Sequence, residues 1–174
     1  MTTPRLTAIL ALSQDGALGS TTAPGGMLWP RLSRDLRRFR ELTDGKVCLV
    51  GRRTYDTLSR LPGRRLVVLT RTGASTHVPA APSVVGAFPF VEDALAHVTG
   101  EPEVMVIGGA EVYRALLPLC ERVYLTTVCA NYPGADVRLD PAEVTDGRRC
   151  LSQEWHAADG DNPVGLRFSE WVRP

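Results

Sequence analysis

The prediction of the fold begins at Lys46-Val47-Cys48-Leu49-Val50-Gly51-Arg52-Arg53-Thr54. Residues 46–51 are predicted to be a buried strand, because Val47 to Val50 form a short apolar run. The glycine and the polar residues that follow predict a turn into a short helix at about 54–58. Because other segments repeat this order of strand and then helix, the chain is predicted to alternate between the two.

Periodicity places the remaining elements along the 174 residues. Further strands are predicted at 6–12, 65–70, 103–107 and 122–129, and helices at 32–42, 91–98 and 111–117. Residues 71–83 are predicted to be a loop, and 150–156 with 166–172 an antiparallel hairpin. The predicted fold class is therefore α/β. One domain over 1–174 has a central, mostly parallel sheet flanked by helices, with an antiparallel C-terminal edge hairpin.

The composition is that of an ordinary soluble protein, with 44% apolar and 22% charged residues. The sequence has no apolar run long enough for a membrane span and no convincing signal-peptide layout, so we expect a cytoplasmic protein. The four cysteines have neither the C-x-x-C pattern nor zinc-ligand spacing with the histidines. Cys48 and Cys129 fall in predicted strands, which favours buried reduced thiols over disulfides, and no metal site is predicted.

Positive charge is concentrated in residues 31–71, which hold twelve of the twenty basic side chains and four acids. Such a segment binds nucleic acid in some proteins, and the phosphates or carboxylates of a small ligand in others; in many it is only a solvated face. The segment lacks the interleaved aromatic residues of single-strand binders. We therefore expect a small-molecule ligand rather than a nucleic acid.

Asp35 stands out in the helix predicted at 32–42, because helical periodicity places it within an apolar stripe. The stripe consists of Leu32, Leu36, Phe39 and Leu42. The opposite, solvent-facing side is predicted to hold Arg34, Arg37, Arg38 and Glu41. A buried acid has a raised pKa and suits a proton donor or a cation clamp. Alternatively, it is a helix-start acid next to a Ser33 cap, and the helix by itself does not decide between the two.

Three glycine-containing motifs allow both a structural and a functional interpretation. Gly51-Arg52-Arg53-Thr54 and Val106-Ile107-Gly108-Gly109-Ala110-Glu111 each join a strand to a helix. Such junctions bind phosphate in some proteins and are plain turns in others. Leu61-Pro62-Gly63-Arg64 is a turn whose arginine could also bind a carboxylate in a bidentate way.

Taken together and in this order, the motifs resemble those of the dihydrofolate reductase family, from Leu6 to about Asp136. Residues 11–19 resemble the first strand and the start of the mobile lid, and Trp29 with Asp35 resembles the substrate segment. Further likenesses are the family's Gly-Arg-x-Thr-aromatic, Leu-Pro-Gly-Arg, Ile-Gly-Gly and Tyr-Leu-Thr segments, the last at 124–126.

The resemblance implies NADPH-dependent reduction of 7,8-dihydrofolate, inhibition by antifolates such as methotrexate, and a monomer. It implies that Asp35, hydrogen-bonded to Thr126, holds the pterin and supports protonation at N5, with a water ordered by Trp29. The implied substrate-binding residues are Ile9, Leu36, Phe39, Leu58, Leu61 and Arg64. The implied cofactor-binding residues are Ala11, Leu18, Gly19, Gly51, Arg52, Arg53, Thr54, Thr70, Arg71, Ile107, Gly108, Gly109, Ala110, Glu111, Val112 and Tyr113.

Two alternatives and two departures accompany this interpretation. A pyrimidine reductase of the riboflavin pathway shares the fold, but its substrate has neither the pterin edge expected at Asp35 nor the glutamate tail expected at Arg64. The other alternative is an inactive homologue that binds a nucleotide or a partner protein. The departures are Leu28, where the family usually has proline, and a longer, glycine-rich lid at 19–29.

Overall fold

The computed structural model describes residues 3–58, 61–72 and 83–174. Its strands, in chain order, are β1 (Arg5–Ser13), β2 (Ala17–Gly19), β3 (Val47–Gly51), β4 (Arg65–Leu69), β5 (Val84–Phe88), β6 (Glu103–Val106), β7 (Arg122–Val128), β8 (Val137–Arg138), β9 (Arg149–His156) and β10 (Leu166–Val172). Its α-helices are α1 (Ser33–Thr43), α2 (Arg52–Thr57), α3 (Val91–His97), α4 (Ala110–Leu116) and α5 (Pro141–Thr145). Two 3₁₀ turns lie at Pro24–Gly26 and Leu117–Leu119.

Eight of the strands are ordered β5-β4-β3-β6-β1-β7-β10-β9, and β2 pairs separately with β8. This confirms the predicted α/β class with its mostly parallel sheet and its antiparallel edge hairpin. The strands missed by the sequence analysis are β2, β5 and β8, and α5 was also missed. Among the described residues, no helix is long and apolar enough to cross a membrane.

Contacts within the chain form two compact units. The first unit comprises residues 1–8 and 43–120, and the second comprises 9–42 and 121–174. In the first unit β3 pairs in parallel with β4 and with β6, and β4 pairs in parallel with β5. The residues from Val47 to Val50 are all buried, as the continuous apolar run predicted.

In the second unit, β10 pairs with both β7 and β9 in antiparallel register, and Phe168 lies opposite Thr126. An apolar cluster of Trp29, Leu32, Val128 and Leu166 packs at the start of α1. The backbone amide of Arg34 donates to Oδ1 of Asn162 (2.8 Å), so the hairpin loop supplies an acceptor at this helix start.

All four cysteines lie in the described residues and are free thiols; Cys48 is buried as predicted, whereas Cys129 is only partly buried. Cys48 is buried in β3, and burial raises the pKa of its thiol to about 12. Cys129 directly follows β7 rather than lying within it. A buried thiol with so high a pKa has little thiolate character and is chemically inert.

The carboxylate of Glu103 joins the first residues of β6 to their neighbours in the first unit. It accepts from Nζ of Lys46 (2.6 Å) and from the hydroxyl of Thr7 (2.6 Å). Burial by itself raises the pKa of Glu103. The hydrogen bonds from Lys46 and Thr7 outweigh this effect, so the pKa lies below its ordinary value of 4.5.

We predict that Glu103→Gln destabilises the protein by about 1.5–3 kcal/mol at neutral pH, because it removes hydrogen bonds to a charged group. The folded pKa is lowered, so this stability is present above pH 4.5 and is lost as the pH falls through the folded pKa. Urea unfolding of both proteins across this range measures the effect. Glu101→Gln, which removes an exposed pair with Arg65, is the control and should cost at most about 1 kcal/mol. Equal losses in the two variants would contradict the prediction.

Candidate active site

Asp35 lies in the first turn of α1 in the second unit, and its side chain is half-buried. Burial raises the pKa of its carboxyl above the ordinary value of 3.8. A hydrogen bond from Thr126 and the nearby positive charge of Arg38 oppose this rise without cancelling it. Thr126 is buried in β7. The structure therefore joins the two residues that the sequence analysis paired, and it places the acid where it is both desolvated and accessible.

Trp29 is buried four residues before α1, with 6% of its surface exposed. The edge of its ring meets Tyr132, with 5.7 Å between the ring centroids. Tyr132 in turn donates its backbone amide to the carboxylate of Asp15 (3.0 Å). The tryptophan is thus held by packing, and sequence reasoning missed its aromatic partner because about 100 residues separate the two.

The structure corrects two expectations about the faces of α1. Leu32 is buried, but Leu36, which was predicted to lie on the same buried stripe, is 45% exposed. Arg38 was predicted on the solvent-facing side, yet its guanidinium donates to the carbonyl of Leu125 (3.2 Å) and to the hydroxyl of Thr126 (3.2 Å). A long cationic side chain can bury its stem and still satisfy its donors, which a charge-based reading of a helix overlooks.

The other predicted residues of the second unit lie on β1, on β2 and on α1. Ile9 is buried in β1, while Ala11 of β1, Leu18 of β2 and Phe39 of α1 are partly buried. Gly19 ends β2, and a Cβ placed on it would lie 2.8 Å from the carbonyl oxygen of Gly26. Only a glycine allows this close approach.

The glycine-rich segment after β2 is tied down at two points. The amide of Ser20 donates to the carbonyl of Gly26 (2.9 Å), which closes a compact loop. Thr21 donates both its amide (2.9 Å) and its hydroxyl to the carboxylate of Asp136. These bonds hold the pKa of Asp136 below its ordinary value, with the threonine hydroxyl as the largest cause. The sequence analysis assigned no role to Asp136; in this structure it anchors the segment that follows β2.

In the first unit, the paired glycines approach β3 and α2 closely. Gly51 donates its amide to the carbonyl of Gly108 (2.7 Å), and the peptide bond between Gly108 and Gly109 is cis. A Cβ on Gly109 would lie 2.7 Å from Oγ1 of Thr54. Gly108 has a φ of 108°, and a Cβ there would lie 2.9 Å from the ring of Tyr113. Both positions therefore require glycine.

The remaining residues predicted to bind the cofactor lie on α2 and α4 or directly after β4 and β6. Ile107 and Thr70 follow strands β6 and β4 and are buried, as are Val112 and Tyr113 of α4. Ala110 and Glu111 form the first turn of α4, and Glu111 is exposed. Arg71 is exposed, and so is Arg53. Arg52 pairs with Asp56 one turn later on α2 (2.8 Å).

Arg64 is buried at the end of the Leu61-Pro62-Gly63 turn, with 5% of its surface exposed. Its Nε donates to the hydroxyl of Thr43 (3.0 Å) and its Nη1 to the carbonyl of Pro62 (2.6 Å). These bonds fix the plane of the guanidinium. Leu58 and Leu61, which flank the turn, are partly buried.

Comparison with known proteins shows the family of this chain. The family model described as "Dihydrofolate reductase" matches residues 5–173. The chain belongs to the dihydrofolate reductase family. It is 35% identical over 163 residues to the type 3 dihydrofolate reductase of Salmonella typhimurium, covering 92% of this chain and 93% of that protein. It is 39% identical over 124 residues to the dihydrofolate reductase of Mycobacterium leprae (strain TN), covering 69% and 70% of the two.

A solved structure agrees with this assignment over almost the whole chain. Dihydrofolate reductase from Enterococcus faecalis, complexed with NADP(H) and RAB-propyl, superposes with a TM-score of 0.79 at 26% identity. The match covers 97% of this chain and 96% of that one. Membership of the dihydrofolate reductase family explains why an acid on α1 and a glycine pair after β6 occur in one sequence.

We predict that Asp35→Asn makes the folded protein more stable at neutral pH. The folded state binds the Asp35 proton more tightly than the unfolded chain does, so this carboxyl lowers stability as the pH rises from 3.8 through its raised folded pKa. Asparagine removes this penalty. The gain, measured by urea unfolding, should shrink as the pH is lowered towards 3.8.

Glu41→Gln is the control for this prediction, because Glu41 is an exposed acid on the same helix. It should leave the stability within about 0.5 kcal/mol of the unmodified protein. An Asp35→Asn variant that is no more stable than the parent at neutral pH would contradict the idea that burial destabilises the ionised carboxyl.

Proposed function

We propose that this chain reduces 7,8-dihydrofolate to 5,6,7,8-tetrahydrofolate with NADPH, adding hydride at C6 and a proton at N5. The product supplies one-carbon metabolism and nucleotide synthesis. The observation that carries the proposal is Asp35, a half-buried carboxyl with a raised pKa that accepts a hydrogen bond from Thr126 in a chain of this family. Other predicted acids of the family motifs lie on exposed surfaces, such as Asp56 and Glu111.

The chemistry of Asp35 follows from its environment. An ionised carboxylate binds the amidine-like edge of a pterin through two parallel hydrogen bonds. Because burial disfavours the charged form, the carboxylate gains most when a cationic or protonated ligand faces it. The same balance favours protonation at N5, the site that must accept a proton as the ring is reduced. We propose that Trp29 orders a water for that transfer.

We propose that the residues assigned to substrate binding contact different parts of dihydrofolate. Ile9, Leu36 and Phe39 would contact the pterin and the p-aminobenzoyl group. The exposure of Leu36 supports this role, since an apolar side chain on a helix gains free energy when a ligand covers it. Leu58 and Leu61 would extend the apolar lining, and Arg64 would bind the α-carboxylate of the glutamate.

NADPH supplies the hydride when it is bound. The glycine pair would fit such a cofactor: a Cβ at Gly108 or Gly109 would collide with Tyr113 or Thr54, and a backbone without side chains lets a phosphate approach closely. We propose that Ile107, Ala110, Glu111 and Val112 complete this wall, with Ala11, Leu18 and Gly19 bordering the nicotinamide. Arg52, Arg53, Thr54, Thr70 and Arg71 would surround the adenosine phosphates.

We propose a cytoplasmic monomer that binds small molecules, including antifolates such as methotrexate, and no nucleic acid. Four free thiols support a reducing compartment. The segment rich in arginine is used in part by internal pairs, such as that of Arg52 with Asp56, which supports a ligand-binding role over a nucleic-acid surface. Gel filtration with light scattering tests the monomer directly.

We predict that the purified protein oxidises NADPH in the presence of dihydrofolate and that methotrexate blocks the reaction. Asp35→Asn should lower the rate at neutral pH by about 10²- to 10⁴-fold, the range expected for loss of general-acid support. The activity of both proteins is measured from the change in absorbance as NADPH is consumed. Turnover with a ribosylamino-pyrimidine but not with dihydrofolate would overturn the proposal, and an Asn variant within a few-fold of the parent would remove Asp35 from the mechanism.

We predict that Arg53 selects NADPH over NADH through the 2′-phosphate. It is exposed on α2, whereas its neighbour Arg52 pairs with Asp56. Arg53→Ala should weaken the binding of NADPH by about 1.5–3 kcal/mol and leave the binding of NADH nearly unchanged, because it removes a charge-assisted contact. Arg52→Ala should have a smaller selective effect.

Fluorescence titration with both cofactors measures these affinities, with Arg167→Ala, an exposed arginine on β10, as the control. Equal weakening of NADPH and NADH by Arg53→Ala would show that its guanidinium does not contact the 2′-phosphate.

A further inference from the structure

The guanidinium of Arg38, on α1, reaches strands β7 and β10. Nη1 donates to the carbonyl of Leu125 (3.2 Å) and to Oγ1 of Thr126 (3.2 Å). Nη2 donates to the carbonyl of Ser169 (3.1 Å). Three acceptors on two neighbouring strands therefore fix this guanidinium in one place.

Two aromatic rings also contact the guanidinium of Arg38. The guanidinium carbon lies 4.5 Å from the centre of the Phe168 ring and 5.5 Å from that of Tyr124. Both distances are within the range of cation–π attraction. Burial lowers the pKa of Arg38, while the negative charge of Asp35 opposes this effect, but an arginine stays protonated throughout the range in which enzymes work. Arg38 is thus a permanent positive charge of fixed orientation beside the acid.

The hydrogen bond from Arg38 to Thr126 sets the direction of the hydrogen bond between Thr126 and Asp35. A guanidinium has donors and no acceptor, so the hydroxyl oxygen of Thr126 must accept from Arg38. The hydroxyl has a single proton, which is then available to donate to the carboxyl of Asp35. A hydroxyl that donates to a carboxyl favours its ionised form, whereas one that accepts from it favours the neutral acid.

We propose that Arg38 is a positioning residue that acts through Thr126 to favour the ionised form of Asp35. Arg38 fixes which group donates and which accepts in the hydrogen-bond series Arg38–Thr126–Asp35, and it adds a positive charge near Asp35. Without Arg38, the Thr126 hydroxyl can rotate and accept from a protonated Asp35. The effect on turnover rests on the proposed function, but the effect on the protonation of Asp35 does not.

Other charged groups also face this site. An open cavity of about 610 Å³ leads to Arg38 from the solvent side of α1. The titratable and charged side chains around Arg38 are Arg34, Arg37 and Glu41 on α1, Tyr124 on β7, Glu154 and His156 on β9, and Glu170 on β10. Arg34 pairs with Asp159 (2.6 Å), and Glu170 pairs with Arg122 (3.0 Å). Among these groups, Arg38 is the one whose positive charge lowers the pKa of Asp35.

The experiment follows the Asp35 carboxyl by ¹³C NMR as the pH is varied, with the Asp35→Asn variant used to assign its signal. Arg38→Met keeps an unbranched side chain but removes every donor. We expect it to shift the titration midpoint of Asp35 upward by about one pH unit. Arg37→Met is the matched control, because Arg37 is the neighbouring exposed arginine of the same helix, and it should leave the midpoint in place.

Two further variants separate a relay through Thr126 from a bulk charge effect. In a Thr126→Val background, Arg38→Met should shift the midpoint by less than half of its effect in the parent. If Arg38→Met does not fold, Arg38→Lys, which retains the positive charge, is used in its place. Because an ammonium lacks the planar geometry of the guanidinium, we expect a smaller shift in the same direction.

The proposal is overturned if neither Arg38 variant moves the midpoint, if Arg37→Met moves it equally, or if the shift is unchanged without the Thr126 hydroxyl. The acid limb of the pH profile of kcat/KM should move with the NMR midpoint. If the protein shows no turnover of dihydrofolate while the midpoint still moves, the proposed function fails and the role of Arg38 stands.

Discussion

The hydrogen bond between Asp35 and Thr126 is the interaction on which the active-site chemistry depends. It joins the first turn of α1 to β7 and places a carboxyl where burial raises its pKa. The hydrogen bond from Thr126 and the positive charge of Arg38 oppose this rise, and the pKa still lies above its ordinary value. A group in this state binds a cationic ligand strongly, because pairing removes the penalty of its charge. The packing of Trp29 and Leu32 holds the start of α1, and therefore the acid, in position.

The glycine pair imposes a second constraint, which concerns space rather than charge. Any side chain at Gly109 would meet Thr54, and any side chain at Gly108 would meet Tyr113 in a backbone conformation that favours glycine. The segment that sequence comparison matches to a cofactor-binding family is thus also one that tolerates no substitution on steric grounds. The steric demand for glycine and the proposed cofactor role fall on the same two residues, which is why the motif is short but informative.

Sequence reasoning predicted the fold class and most of the strands, because long apolar runs such as Val47–Gly51 follow from burial on both faces. It missed β5, whose glycine interrupts the strand pattern. A Cβ on Gly86 would lie 2.6 Å from the ring of Phe88, so the glycine serves packing that no local pattern reveals. It also missed β2 and β8, which are three and two residues long.

The same reasoning found Asp35 but misjudged the helix around it. Arg38 was placed in solvent because charged residues on a helix usually are; its burial depends on Phe168 and Ser169, which lie far away in the sequence. The spacing of three residues between Asp35 and Arg38 was the available signal. Leu36 was expected to be buried and is exposed, since periodicity does not distinguish a core contact from a ligand contact.

A crystal structure of the protein with NADPH and a 2,4-diaminopyrimidine inhibitor tests the central claim most directly. The account predicts that both carboxylate oxygens of Asp35 accept hydrogen bonds from the inhibitor at about 2.7–2.9 Å, the range of charge-assisted bonds. It also predicts that the Thr126 hydroxyl still donates to the carboxylate in that complex. An inhibitor bound with its amidine-like edge away from Asp35, and with no hydrogen bond to that carboxylate, would contradict the account.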